Sequence, residues 1–256
     1  YVWHWMWNTG NGDIGNQGPH EMDIARWALG DPGLPQHVFS IGGRFGMGET
    51  DDVGETANTQ IAYFDYKPAP LIFEVRGLPR KKGDRAMDHY RGTRVGDCIQ
   101  CEGGCFPCDD GGGWVLDNDG KRIKQFSGRG GAGHHENFIK AVRSRKVSDL
   151  NGDIEIGHLS AALCHMANTS HRLGKKATVD EVFQAIGDNE EMFDSFSRMV
   201  EHLVANEVDL EKERITLGPV LTMDADKERY VGEHSDMANM YLKRNYREPF
   251  IVPENV

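Results

Sequence analysis

The chain has 256 residues, a formal charge of −11 at neutral pH and 38% hydrophobic residues. That length allows one large domain or two small ones, with a core large enough to fold without disulfide or metal staples. The acidic balance argues against nucleic acid, whose phosphates need a basic face, and no apolar run approaches the roughly 20 residues that span a bilayer.

Glycine is over-represented, with 31 residues against roughly 7% in average proteins. The glycines cluster at 10–18, 42–48, 103–113 and 128–133, which reads as loops between ordered elements. The chain opens on Tyr1 inside an aromatic run, Tyr1, Trp3, Trp5 and Trp7, unlike a natural start or a signal peptide. It is therefore expected to be truncated at this end, with 247–256 as a true polar tail. Any export signal would lie outside the sequence, so localisation, cytoplasmic or exported, stays undetermined.

The aromatic alternation over 1–7 predicts a strand, and Thr9 to Gly18 predicts a loop. Pro19 suits the first turn of a helix that runs to about Leu29, buries Met22, Ala25 and Leu29, and stops at Gly30. Strands are expected at 37–45, 57–66, 70–77, 94–102, 113–117 and 121–125, with Asn118-Asp-Gly120 as a tight hairpin turn. The short basic cluster Arg80, Lys81, Lys82 and Arg85 reads as a solvated loop. Helices return at His134–Arg145, with Phe138, Ile139 and Val142 on one face, and at Ile154–Leu173, closed by Gly174. Thr178-Val-Asp-Glu181 has capping-box spacing, and Phe193, Phe196, Val200 and Leu203 mark a helix over 190–206. The order predicts an α+β fold, an open mixed or antiparallel sheet covered by helices. The expected division is a core over 1–177 and a helical C-terminal extension over 178–256.

Four groups of residues could carry chemistry. Gly10-Asn-Gly-Asp-Ile-Gly15 matches G-x-G-x-x-G. A dinucleotide fingerprint, however, needs a helix starting inside the motif and an acid after the next strand. Here Asn16-Gln-Gly-Pro intervenes, and the next strand ends in Gly46 and Met47. Cys98, Cys101, Cys105 and Cys108 have C-x2-C-x3-C-x2-C spacing. Paired thiolates can converge on one ion, but zinc ribbons separate their pairs further, and a disulfide or free thiols is the competing reading. Cys164, mid-helix among small apolar residues, is expected to be buried and inert. His134, His135, His158, His165 and His171 lack an H-E-x-x-H pair, so no metal is expected there. Finally, Asp13, Asn16, His20 and Asp23 surround the start of the first helix. Asp23, three residues on, can orient the His20 ring for proton transfer. Equally, it can cap the helix while His20 packs at its end.

The run from Trp3 to Trp27 resembles the Gfo/Idh/MocA family of oxidoreductases, and more narrowly a subgroup common in planctomycetes and related bacteria. The likeness extends through Gly42-Gly-Arg-Phe45, Gly54-Glu-Thr-Ala-Asn-Thr59, Phe73-Glu-Val-Arg-Gly77, Cys101-Glu-Gly-Gly104, Asn137–Ser144, Gly157–His165 and Tyr246-Arg-Glu-Pro-Phe250. It implies the substrate-side α+β domain of an NAD(P)-dependent enzyme whose cofactor is bound mainly by a Rossmann domain outside the chain. The implied reaction is hydride transfer at a sugar or polyol carbon. His20 would be the proton-transfer residue, Asp23 the helix aspartate after it, and Asn16 and Asp13 their neighbours. Asn11, Gln17, Arg44 and His158 are expected to contact the carbohydrate or polyol, and copies of the chain to pair through the sheet face. Inositol-dehydrogenase-like members carry aspartate where this chain has Asn16, which hydrogen-bonds a hydroxyl but does not take up a proton. The resemblance therefore leaves open an NAD-dependent glycosidase or lyase, and apart from catalysis a binding or assembly module.

Overall fold

The computed structural model describes residues 2–48, 52–128 and 131–253. In chain order it contains a 3-10 turn, Val2–Trp5, then α1 (Gly12–Asn16), α2 (Gly18–Ala28), β1 (His37–Gly43), β2 (Thr59–Phe64) and β3 (Leu71–Arg76). A meander follows as β4 (Asp97–Cys101), β5 (Gly104–Asp109), β6 (Gly112–Leu116) and β7 (Arg122–Ser127). After α3 (His134–Ser144) and a 3-10 turn, Val147–Asp149, come α4 (Ile154–Leu173), β8 (Lys175–Ala177), α5 (Val179–Ile186) and α6 (Glu190–Ala205). The chain closes with β9 (Ile215–Leu217), β10 (Leu221–Asp224), β11 (Arg229–Val231) and α7 (Ser235–Asn239).

The architecture is α+β, with two open sheets whose strand pairs are antiparallel throughout the described residues. The larger sheet has seven strands. Its main path runs β11-β10-β1-β2-β3, and β9 pairs with both β1 and β8. Side-chain alternation along β1 and β2 sorts two cores onto its two faces. Val38, Ala62 and Phe64 face Ile14, Met22, Leu163 and Met166 of α1, α2 and α4. Ile41 and Ile61 face Val182, Ile186, Phe196, Met199 and Leu203 of α5 and α6. Copies of the chain were expected to pair through the sheet face, and in this chain helices pack on both faces of the larger sheet. The smaller sheet is β4-β5-β6-β7. Cys105 is its one buried residue among those described, and α3 buries none.

Several local expectations hold for physical reasons visible in the structure. Thr178 accepts a hydrogen bond from the Glu181 N–H while Glu181 reaches back to the Thr178 N–H, completing the capping box. Gly120 takes φ +78° in the β6–β7 turn, the region a tight turn requires.

Others are corrected. Residues 2–5 are not a strand. They form a 3-10 turn, in which the Trp3 carbonyl accepts from the Met6 N–H and the Trp5 carbonyl from the Glu55 and Thr56 N–H groups. The loop expected over 9–18 contains the short α1. A strand at 104–109 was missed because Pro107 lacks an N–H, yet it sits opposite Cys98 in the ladder. The segment after 178 is more than helical. Beyond α5 and α6 it supplies β9, β10 and β11 to the larger sheet. The apolar face of α3 is exposed at Phe138, Ile139 and Val142. On α6 the buried stripe is Met192, Phe196, Met199 and Leu203, while Phe193 points out.

Candidate functional site

The α1–α2 corner is built on a close approach. A Cβ on Gly18 would lie 2.9 Å from the Cys164 sulfur, so only glycine lets α2 start against α4. Cys164 itself is buried there, and burial pushes its thiol up to about 12. That is the inert thiol expected. Gln17 links the two helices, its N–H donating to the Asp13 carbonyl while its own carbonyl accepts from the His20 N–H.

This geometry presents Asn16, Gln17 and His20 on the exposed side of the corner. Among the described residues, the His20 imidazole makes no hydrogen bond or ion pair. Asp23 is not its partner. The Asp23 carboxylate accepts from Ser160 Oγ at 2.7 Å and lies 3.9 Å from the Arg26 guanidinium. Arg26, 2% exposed, donates to Ser160 and to the Pro32 carbonyl. Asp23 thus ties α2 to α4 and to the loop after α2.

Gln17 donates through Nε2 to Glu21 at 2.7 Å. Glu21 is buried and near Asp97 at the start of β4, whose Oδ2 is buried without a hydrogen-bond partner among the described residues. Burial and the nearby Glu21 charge push the Asp97 carboxyl up to about 8. Burial and a neighbouring negative charge both disfavour the ionised form, so Asp97 keeps its proton well above the ordinary carboxylate range. Sequence reasoning missed it because Glu21 and Asp97 carry no local signal linking them.

The other expected contacts are dispersed. The Asn11 carbonyl accepts from Asn168. Asp13 lies 3.6 Å from His4 Nε2, and burial raises its pKa against the opposing pull of His4 and Arg44. Arg44 pairs with Asp52 through two nitrogens and stacks over Trp5 at 5.0 Å. His158 bonds the Glu228 carboxylate at 2.8 Å.

The four cysteines sit on the β4–β5 hairpin, where Cys98 is opposite Pro107 and Cys101 opposite Gly104. Alternation sends Cys98 and Cys105 to one face and Cys101 and Cys108 to the other. Among the described residues, no group of three or more His, Cys, Asp or Glu is placed to hold a metal ion. All four are free thiols, and burial pushes Cys98 and Cys108 up to about 11.

The glycine motif does not fit a dinucleotide. A Cβ on Gly10 would lie 2.4 Å from the His4 carbonyl oxygen, so this glycine serves close packing of the chain on itself. The parallel βαβ unit that presents a pyrophosphate to a helix N-terminus is replaced by antiparallel pairs. A hollow along α3, lined by His135, Glu136, Ile139, Lys140, Arg143 and Ser144, has one helix as its only wall.

No family model and no curated protein matches the chain. Among solved structures, one from Thermotoga maritima that carries the name oxidoreductase matches at 16% identity and TM-score 0.46, over 64% of this chain and 46% of that one. A structure from Bordetella bronchiseptica RB50, named a dehydrogenase, matches at 15% and 0.43, over 64% and 54%. One from Klebsiella pneumoniae, named an oxidoreductase, matches at 16% and 0.41, over 61% and 47%. The chain spans about half the length of these structures. Likeness at this level fixes neither activity nor substrate.

Proposed function

We propose that this chain is the substrate-side part of an oxidoreductase of the Gfo/Idh/MocA type, acting on a sugar or polyol with His20 as the proton-transfer residue. The observation that carries the reading is the His20 imidazole. It is solvent-facing, without a side-chain partner among the described residues, and mounted on a helix start that Gly18 seats firmly against α4. Imidazole gains and loses a proton near neutral pH. An unspent ring on a rigid element is therefore available to a substrate hydroxyl. Asn16 and Gln17 beside it offer amide groups that bond to hydroxyls. Asp23 acts here as a positioning residue, holding α2 on α4 through Ser160.

On this reading NAD or NADP is bound mainly by residues outside this chain, since the 10–15 glycine run does not have the setting of a dinucleotide fingerprint. When bound, nicotinamide would supply the hydride chemistry. The test is His20→Ala in a protein joining this chain to its dinucleotide-binding part. Turnover on the sugar or polyol substrate is expected to fall about 10²–10⁴-fold, the usual contribution of a general acid–base group. The melting temperature is expected to stay unchanged, because His20 is exposed. Full turnover in the folded variant would remove His20 from the mechanism.

A further inference from the structure

A second cavity, of about 230 Å3, is lined by Arg44, Phe45, Lys176, Lys212, Glu213 and Arg214. None of its walls comes from residues 11–23, and of the residues expected to contact a sugar or polyol it shares only Arg44. Strand pairing explains the convergence. Lys176 of β8 is opposite Thr216 of β9, which is opposite Gly42 of β1. Two residues further along, Arg214 and Arg44 leave their strands at the same end of the sheet. In a chain of net charge −11, four cations here meet one carboxylate.

We propose that this cavity binds a small polyvalent oxyanion, a phosphate ester or a dicarboxylate, between Arg44, Lys176, Lys212 and Arg214. The charges within the site leave room for it. Glu213 is committed to the Gly46 N–H at 2.9 Å. Arg44 pairs with Asp52 and Lys212 with Asp209 at 3.0 Å. Among the described residues Lys176, by contrast, donates only to the Arg214 carbonyl, at 3.1 Å, and Arg214 makes no ion pair. Burial lowers the Lys176 pKa with no carboxylate opposing it. The same charge helps burial push His171 down to about 4. A concave site in which cations outnumber carboxylates four to one concentrates field and counter-ion alike. The volume lies below the roughly 300–1,000 Å3 of larger ligand pockets, which suits a phosphoryl group or short diacid and excludes a dinucleotide.

Titration calorimetry on the full chain tests this, with inorganic phosphate and malonate as probes and chloride at matched ionic strength as reference. Saturable one-to-one binding of phosphate, malonate or both is expected, and the stronger of the two identifies the ligand class. Lys176→Met and Arg214→Gln should each weaken binding about tenfold or more, as loss of a charge-assisted hydrogen bond does, while Lys176→Arg should largely retain it. Both side chains are exposed, and Arg214→Gln keeps the carbonyl that Lys176 uses. Circular dichroism confirms which variants are folded, and either folded variant suffices. Heats no different from chloride, or unchanged affinity in a folded variant, overturn the proposal.

Discussion

The raised Asp97 carboxyl near Glu21 makes stability depend on pH in a definite direction. The Asp97 carboxyl is raised in the folded chain to about 8 from an ordinary value of 3.8. Between those values the unfolded chain has lost this proton and the folded chain keeps it, so stability falls as pH rises. Below pH 4 both states are protonated, and above pH 8 the penalty is complete. The surroundings give no relief. Gln17 offers one amide donor to Glu21, and on the β4–β5 side Asp97 faces the Cys98 and Cys108 thiols. Asp97→Asn keeps a donor toward Glu21 without the titration. It should melt above the parent chain at pH 8 and match it near pH 4, each kcal/mol recovered being worth about 2–4 °C at this size. Melting curves that run parallel from pH 4 to 9 would count against a proton kept on Asp97. Neither this pair nor the true partner of Asp23 was legible in sequence. Ser160 lies 137 positions from Asp23, and local spacing offered only His20 or the helix end.

At the scale of elements, sequence signals worked where the determinant is local. Thr178 and Glu181 announce the start of α5 because both halves of a capping box lie within four residues. Asp153 does the same for α4, accepting from the Glu155 and Ile156 N–H groups. Thr178→Ala should therefore cost about 0.5–2 kcal/mol, read as a lower melting temperature, and Thr178→Ser should restore most of it. An unchanged melting temperature in the alanine variant would mean that packing of Val182 and Ile186 alone holds α5 in place. Signals failed where tertiary partners decide. The aromatic alternation of 2–5 fits a strand until Glu55 and Thr56 take the Trp5 carbonyl. The periodicity of α6 places Phe193 and Phe196 one turn apart, yet only contact with the sheet sends Phe196 inward. Likewise the cationic cavity depends on strand register between segments near 44, 176 and 214, and no local motif encodes that.

At the scale of the whole molecule, apolar burial is unevenly shared between the two sheets. The larger sheet carries a core on each face, so exposing the amides of β1 or β2 requires dismantling one core or both. The smaller sheet and α3 have almost no buried apolar residue, and Ile123, Phe126, Phe138 and Ile139 stand exposed. Local opening free energy follows such burial, from near zero at weakly packed elements to the global value in the core. Native-state hydrogen exchange should therefore divide the chain. Amides of 37–43 and 59–64 should exchange only through global unfolding, with rates that rise steeply with denaturant. Those of 112–116, 122–127 and 134–144 should exchange orders of magnitude faster and with little denaturant dependence. The Glu21–Asp97 contact lies on the seam between these two regions, where α2 meets β4. Asp97→Asn should accordingly slow exchange in 97–101 at pH 8 while leaving β1 and β2 governed by global unfolding. Uniform protection across both sheets would show that the smaller sheet shares the main cooperative unit, and that its exposed apolar face is held by contacts other than buried side chains.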